Sequence, residues 1–441
     1  MKRIKVTLAV AASALLLAAP AMAFHDGGVA KCESCHTMHN SLNGAAMATG
    51  SGNAMSRAYG TGSGPYLLQG GGQQSDACLN CHENANDTGP TSYHVSTAAA
   101  SLNTAATSTN VTDYPKQRGP GGDFGWLKIV SGTPSQKGHN INAPAHGYAQ
   151  DSRLATSPGG NYPASNLQCS SCHDPHGKYR RLADGTIATT GAPIGESGSY
   201  DLSNEPTSFK AVGVYRLLGG AGYKPKSITD SSLAFGATTN PPVAVAPKTY
   251  NRTEATTMTR VAYGQGMSEW CANCHGGLLN ANGDVSSSNT DAGHVHPAGK
   301  SAKLNATIAG NYNAYKKSGD LSGNDTTSFD SLVPFEEGTA DYATLKSHAK
   351  NDNSVLNGPV AGTSNVMCLS CHRAHASGFD SMLRYEMNGF VVATDTATGN
   401  VTGWNSTAAT NARYTAAYYD KPATAYGAYQ KALCNKCHAK D

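Results

Sequence analysis

Twelve cysteines and sixteen histidines carry the chemistry of this 441-residue chain. Every cysteine falls in a C-x-x-C-H group: Cys32, Cys35 and His36; Cys78, Cys81 and His82; Cys169, Cys172 and His173; Cys271, Cys274 and His275; Cys368, Cys371 and His372; Cys434, Cys437 and His438. Two cysteines three apart share one side of a helical turn, so both sulfurs can bond the vinyl groups of one haem while the adjacent histidine turns its imidazole to the iron. A single group of this kind is also compatible with a zinc pair or a redox dithiol. Neither of those needs a histidine directly after every second cysteine, and here no cysteine is left over. The pattern specifies six covalently bound haem c groups, each with its iron.

The six motif histidines leave His25, His39, His94, His139, His146, His176, His294, His296, His348 and His375 as candidates for the sixth ligands of six irons. The surplus points to bis-histidine coordination throughout. Met38, Met267 and Met367 lie close to motifs, but methionine more often fills irregular gaps in a core than binds a metal, and histidine is in ample supply. The first, third and fifth motifs continue as CHTMH, CHDPH and CHRAH, which places His39, His176 and His375 three residues after the first histidine; the other three motifs lack this second histidine. Two side chains three apart on a helix lie on one side of it, whereas the two ligands of one iron approach from opposite faces of a wide porphyrin. Each of these three histidines must therefore serve an iron other than its neighbour's, bringing two haems close together. The remaining ligands come from the other seven. His139 and His348 stand 30 and 20 residues before Cys169 and Cys368, each upstream of a CxxCHxxH motif. His296 and His94 follow motifs that lack the second histidine. His25, His146 and His294 rank below these four.

The surrounding chain has to hold the haems. Charged residues make up only 14% of it and 49 residues are glycine, so long stretches of Ala, Ser, Thr, Asn and Gly bury little apolar surface. The haems themselves are then the missing core, strung along short helices and loops. The motifs start 46, 91, 102, 97 and 66 residues apart, which defines no uniform repeat and predicts one elongated hexahaem domain over residues 24–441. Residues 1–23 place Lys2, Arg3 and Lys5 before an apolar run through Leu15, Leu16 and Leu17, and end on Ala21-Met22-Ala23, the pattern of a cleaved secretory signal peptide. No later stretch is long and apolar enough for a transmembrane segment. Cleavage removes three of the 33 Lys+Arg and none of the 30 Asp+Glu, leaving a formally neutral polypeptide. Charge therefore gives no support to nucleic-acid binding. Twelve haem propionates make the loaded protein acidic.

With the motifs in place, FHDGGVAKCESCHTMHNSLNGA, GGDFGW, LQCSSCHDPHGKYRR, TYNRTEATTMTRVAYGQGMSEWCANCH, PFEEGTADY, SNVMCLSCHRAHASGFDSM and YQKALCNKCHAKD resemble the OmcS-type hexahaem cytochromes of metal-reducing bacteria. The resemblance spans nearly the whole mature chain and loosens over 45–72, 276–293 and 388–425. It implies a multihaem c-type cytochrome of mostly irregular coil with short α-helices around a haem chain and very little β-structure. It also implies a secreted protein at the outer cell surface, outside the cell outer membrane, that polymerises head to tail into a conductive filament, or nanowire. Such a filament carries out extracellular electron transfer to metal oxides, electrodes, partner cells or other multihaem cytochromes. In that family the histidine matching His39 crosses the subunit boundary and ligates the neighbour's fifth haem, the one held by Cys368, Cys371 and His372.

Two other functions stand beside the electron conduit at this stage. A multihaem reductase needs an open iron, often at a modified motif, yet all six motifs end in histidine with ten more to spare. Irons saturated on both faces exchange electrons but offer a substrate no position, which reads as an electron carrier with no catalytic residues. A monomeric periplasmic or surface shuttle differs from the filament only in assembly. The signal peptide reports export across the inner membrane and nothing further.

Overall fold

The computed structural model describes residues 35–36, 73–84, 94–97, 121–128, 136–248 except 226, 258–278, 296–384 except 318 and 378, 392–394, 401–403 and 432–439. The leader, His25, Cys32, His39 and His294 lie outside these residues, as does most of the sequence over which the family resemblance loosens.

The helices are short: α1 (Gln74–His82), α2 (Cys169–Cys172), α3 (Met267–Cys271), α4 (Ala306–Ala314), α5 (Tyr342–His348), α6 (Cys368–Cys371) and α7 (Ala432–His438). Four of them consist of or end in a haem motif, and α3 stops on the first cysteine of the fourth. The strands run two to four residues: β1 (Glu83–Asn84), β2 (Ser96–Thr97), β3 (Arg180–Arg181), β4 (Ile187–Ala188), β5 (Ile194–Glu196), β6 (Ala211–Gly213), β7 (Val243–Val245), β8 (Ala262–Gln265), β9 (Val392–Thr394) and β10 (Val401–Gly403). They form one sheet in the order β4-β3-β6-β5 and the pairs β1-β2, β7-β8 and β9-β10. The other described residues are turn and irregular chain, so the expected coil with short helices and little β-structure is what the protein adopts.

Apolar side chains gather in small clusters, three of which touch motif cysteines. Leu79, Phe124, Ile141, Ala143 and Tyr148 pack beside Cys169. Tyr215, Leu218, Val261, Tyr263 and Met267 pack beside Cys172. Tyr312, Phe329, Leu332, Phe335 and Leu433 pack beside Cys371, Cys434 and Cys437. No one of these is a core for a chain of this length, as the composition implied.

Motif helices are joined in pairs by one repeated device. Ser75, three residues before Cys78, accepts the N–H of Cys169 on its Oγ (3.0 Å), so α1 carries α2. Ser268, three residues before Cys271, accepts the N–H of Cys368 in the same way (3.0 Å), so α3 carries α6. The second partners also share a cap: Ser171 Oγ accepts the N–H of Gln168 (3.0 Å) and Ser370 Oγ that of Met367 (3.1 Å), each satisfying backbone that a helix start leaves open. Motifs two and three thus repeat as motifs four and five. The unequal motif spacing concealed this two-haem unit, because insertions of different length separate the same contacts.

A buried ion cluster braces the second unit. Glu337 accepts from Arg260 Nη2 (2.9 Å) and faces His348 Nδ1 (2.6 Å), with Arg260 and Glu337 3% and 9% exposed. Arg260 also lies over the Phe329 ring, 4.7 Å from its centroid. Beside it, buried Glu336 accepts the N–H of Met267, the first residue of α3 (2.7 Å), and the amide of Asn365 (2.7 Å), which fixes the start of the fourth haem motif. Removing one member of a buried pair leaves an uncompensated charge. Glu337→Gln is expected to lower stability by about 3 kcal/mol, read as an earlier denaturant midpoint of the haem-loaded protein with haem content unchanged.

Candidate haem-binding site

In α2 and α6 the helix ends on the second cysteine. The next residues, His173 (φ −101°, ψ 133°) and His372 (φ −105°, ψ 159°), are already extended. The two histidines of a CxxCHxxH motif are thus not stacked on one helix face, as the helical spacing suggested; they leave an extended turn. In the third and fifth motifs the second histidine faces a distant motif.

Among the described residues, four motif histidines face a second imidazole. The ring centroids of His36 and His176 are 6.1 Å apart, those of His173 and His375 6.3 Å, those of His139 and His275 6.1 Å, and those of His296 and His438 6.1 Å. Two imidazole nitrogens on one axis, each about 2.0 Å from a metal, set ring centres roughly 6 Å apart. Rings in direct contact would sit closer, as Phe124 and His375 do at 4.5 Å. The gap is therefore one iron wide, and the chain fits the haem group at these four positions. Two second histidines of CxxCHxxH motifs, His176 and His375, face the first and third motifs, while His139 and His296 face the fourth and sixth.

Five histidine rings have their Nδ1 set by a carbonyl. The Nδ1 of His139 lies 2.7 Å from Ala374 O, that of His173 2.7 Å from Arg216 O, and that of His275 2.8 Å from Pro158 O. For His296 the partner is Pro297 O (2.8 Å) and for His372 it is Ser381 O (2.7 Å). A carbonyl only accepts, so Nδ1 carries the proton and Nε2 presents its lone pair, the tautomer a metal needs. Two of these carbonyls are held at a conformational cost. Arg216 and Leu217 (φ 52° and 54°), and Ser381 and Met382 (φ 57° and 57°), are successive left-handed residues, an arrangement costing about 1–2 kcal/mol per residue for side chains with a Cβ. The pairs hold matching places in the two units. The N–H of Asp174 donates to Leu217 O (2.7 Å) and that of Arg373 to Met382 O (2.7 Å).

Glycines admit the fifth motif between its neighbours. A Cβ on Gly138 would stand 2.4 Å from His375 O, and one on Gly122 (φ +84°) 1.9 Å from Ala376 O. That closeness lets the N–H of His139 donate to His375 O (2.9 Å) and the N–H of His375 to Gly121 O (2.7 Å).

His348 is placed against Glu337 and opposite no motif histidine among the described residues. His146 pairs through Nδ1 with Glu83. His94 stands where β2 begins, beside the second motif: Val95 N–H donates to His82 O (2.8 Å) and β1 pairs with β2. Cysteines 35, 78, 81, 169, 172, 271, 274, 368, 371, 434 and 437 carry no disulfide. The glycine cradle and the left-handed carbonyl presenters had no signal in the sequence beyond GGDFGW and KGHN, whose glycines precede no recognised turn.

Burial holds the imidazoles neutral. It pushes His139 down to about 4 and His375 to about 3, with neighbouring imidazoles adding to both, and lowers His36, His173, His275 and His372. The folded state thus binds fewer protons than the unfolded chain below the usual imidazole pKa of about 6.5. The stability contributed is complete above that pH and declines as pH falls toward 4. A denaturant titration at stepped pH should show the midpoint flat near neutrality and falling through this window. His139→Ala should leave one iron per chain high-spin and able to bind carbon monoxide, with haem content unchanged by pyridine haemochrome assay.

No protein-family model matches the chain. The C-type cytochrome OmcS of Geobacter sulfurreducens is 55% identical over 456 residues, covering 100% of both chains. Two solved structures, a cryo-EM structure of OmcS nanowires from Geobacter sulfurreducens and an outer membrane cytochrome S filament from the same organism, each align with a TM-score of 0.79 at 54% identity, covering 95% of this chain and 100% of theirs. With the six motifs, the facing imidazoles and this identity along its whole length, the chain belongs to the OmcS-type hexahaem c-type cytochromes.

Proposed function

We propose that this protein is an exported, non-enzymatic electron carrier whose mature residues 24–441 form one elongated domain and polymerise head to tail into an extracellular conductive filament. The observation that carries this reading is the set of facing imidazoles one iron apart. When bound, the haems supply one-electron chemistry, passing electrons between ferric and ferrous irons. The chain's own work is to anchor each group by two cysteines, close both axial positions with histidine, and keep the rings neutral and oriented through carbonyls. Closing both positions leaves a substrate no coordination site, which supports a conduit over a reductase.

The CxxCHxxH motifs supply the wiring. His176 of the third motif faces the first, and His375 of the fifth faces the third. The same step of two motifs takes His39, outside the described residues, from the first motif to the fifth motif of the preceding subunit, where His372 stands with its Nδ1 on Ser381 O. A contact in which one end of a subunit binds the other end of its neighbour is heterologous and, unless its rotation closes a ring, propagates as a filament. The relatives solved as nanowires and filaments support this assembly. No described helix is long and apolar enough to cross a membrane. External acceptors, such as metal oxides, electrodes, partner cells and other multihaem cytochromes, are then reached from exposed haem edges.

Replacing His39 tests the joint. His39→Ala is expected to keep six haems, lose filaments in negative-stain micrographs, and bind one carbon monoxide per chain at the fifth iron. A variant that polymerises normally with every iron low-spin would reduce the protein to assembly through ordinary surface contacts.

A further inference from the structure

We propose that Phe124 sets the ring plane of His375 in place of a carbonyl, and that the hydrogen bond this leaves unmade gives the haem of the third motif a higher reduction potential than that of the fourth. The proposal rests on the bis-histidine electron carrier read above and names where along it an electron settles. The two sites differ in one ligand. At the fourth motif both rings donate Nδ1–H to a carbonyl, His139 to Ala374 O (2.7 Å) and His275 to Pro158 O (2.8 Å). At the third, His173 does so to Arg216 O (2.7 Å), but the Nδ1 of the facing His375 is buried and makes no hydrogen bond. The backbone of Gly122 lies near enough to favour a proton on that ring without completing a bond.

An aromatic face takes the carbonyl's place. The rings of Phe124 and His375 stack with centroids 4.5 Å apart and planes 22° from parallel. Phe124 is itself fixed: it is buried, its N–H donates to Val95 O (2.9 Å), and Tyr148 meets it edge-on at 6.2 Å. The backbone N–H of His375 donates to Gly121 O (2.7 Å), so the residue is held at its backbone by Gly121 and at its ring by Phe124. Gly121 also borders the edge of the ring. A Cβ there would stand 3.4 Å from both Nδ1 and Cε1 of His375, and glycine supplies no side chain to accept the proton.

A stacked face holds a plane but takes no hydrogen bond, and the difference reaches the metal. A histidine whose second N–H is bonded to an acceptor is the more basic ligand, and a more basic ligand favours ferric over ferrous iron. The fourth motif's iron has two such ligands and the third's has one. Electrons shared between the two therefore collect on the third haem.

The test uses the full-length exported protein loaded with six haems, titrated by spectroelectrochemistry. His375→Ala and His139→Ala each open one iron to carbon monoxide, and the wave each displaces marks the third and the fourth haem. In the unsubstituted protein the third wave is expected above the fourth. Gly121→Ser places a hydroxyl beside Nδ1 and should move the third wave to lower potential with the other five in place. Gly121→Ala, which adds a Cβ without an acceptor, should move none. Phe124→Leu keeps an apolar neighbour and removes the flat face. It should alter one of the six low-spin electron paramagnetic resonance signals, because the signal of a bis-imidazole iron follows the angle between its ring planes, 57° for His173 and His375. A purely structural Phe124 would lower the denaturant midpoint and leave that signal unchanged. The order of the two waves is read without any change at residue 121, so it decides the matter even where Gly121→Ser fails to load haem. A third wave at or below the fourth, a Gly121→Ser protein with all six waves in place, or a Phe124→Leu protein with six unaltered low-spin signals would each overturn the proposal. Stoichiometric carbon monoxide binding by the unsubstituted protein would instead overturn the bis-histidine reading beneath it.

Discussion

The gap of one iron between facing imidazoles is the constraint on which the remaining structure depends. Each facing pair joins stretches more than a hundred residues apart: His36 with His176, His173 with His375, His139 with His275, His296 with His438. Closed through a haem already fixed by two thioethers, such a pair acts as a cross-link. A covalent link closing a loop of this length restricts the unfolded chain by on the order of 4 kcal/mol. Small clusters such as the one around Leu79 and Phe124, and strands of two to four residues, need support of that size to be stable. With haem bound in these gaps, the facing histidines would supply the long-range order that secondary structure otherwise provides.

That dependence explains why backbone strain is tolerated where it is. Arg216, Leu217, Ser381 and Met382 are left-handed without being glycine, and each pair turns one carbonyl onto a motif histidine. A relaxed turn would save a few kcal/mol per pair but would release the ring to rotate and its tautomer to exchange, weakening the metal bond that closes a loop. The buried clusters serve the same end. Glu336 spends both oxygens on the start of α3 and on Asn365, and Glu337 on Arg260 and His348, so charged groups are sunk into the scaffold to fix where a motif begins.

Haem attachment motifs can be read from sequence alone, because C-x-x-C-H is a local chemical requirement and depends on nothing distant. Which histidine faces which motif could not be read in the same way. His139 and His296 sit opposite motif histidines, whereas His348, which had the same kind of upstream placement as His139, sits on Glu337. No recognised motif beside either distinguishes them; the difference is made by Gly138 and Gly122, which let the fifth motif press against His139, and that contact joins residues far apart in the chain. The two-haem repeat was hidden for a related reason. Its signature is a serine three residues before one cysteine and a capping serine inside the next motif, at Ser75 and Ser171 and again at Ser268 and Ser370. Single serines in a serine-rich chain carry no weight until their hydrogen bonds are seen.

The repeat also bears on how strong a subunit joint can be. Within the chain, passing from one odd-numbered motif to the next always uses the second histidine of the later motif, as His176 and His375 show. A filament in which His39 makes the next step has no contact of a new kind at its boundary: the joint is one more internal step that happens to lack a peptide connection. Such a boundary would need the same iron-wide gap as the described interior pairs. An interface built from ordinary surface patches could drift by an ångström and still hold two subunits together. A coordination bond cannot drift, since the metal fixes its length and direction, so the haem spacing across the boundary is held to the tolerance of the spacing within the chain. In a filament joined in this way, uniform spacing would follow from one motif used three times per subunit.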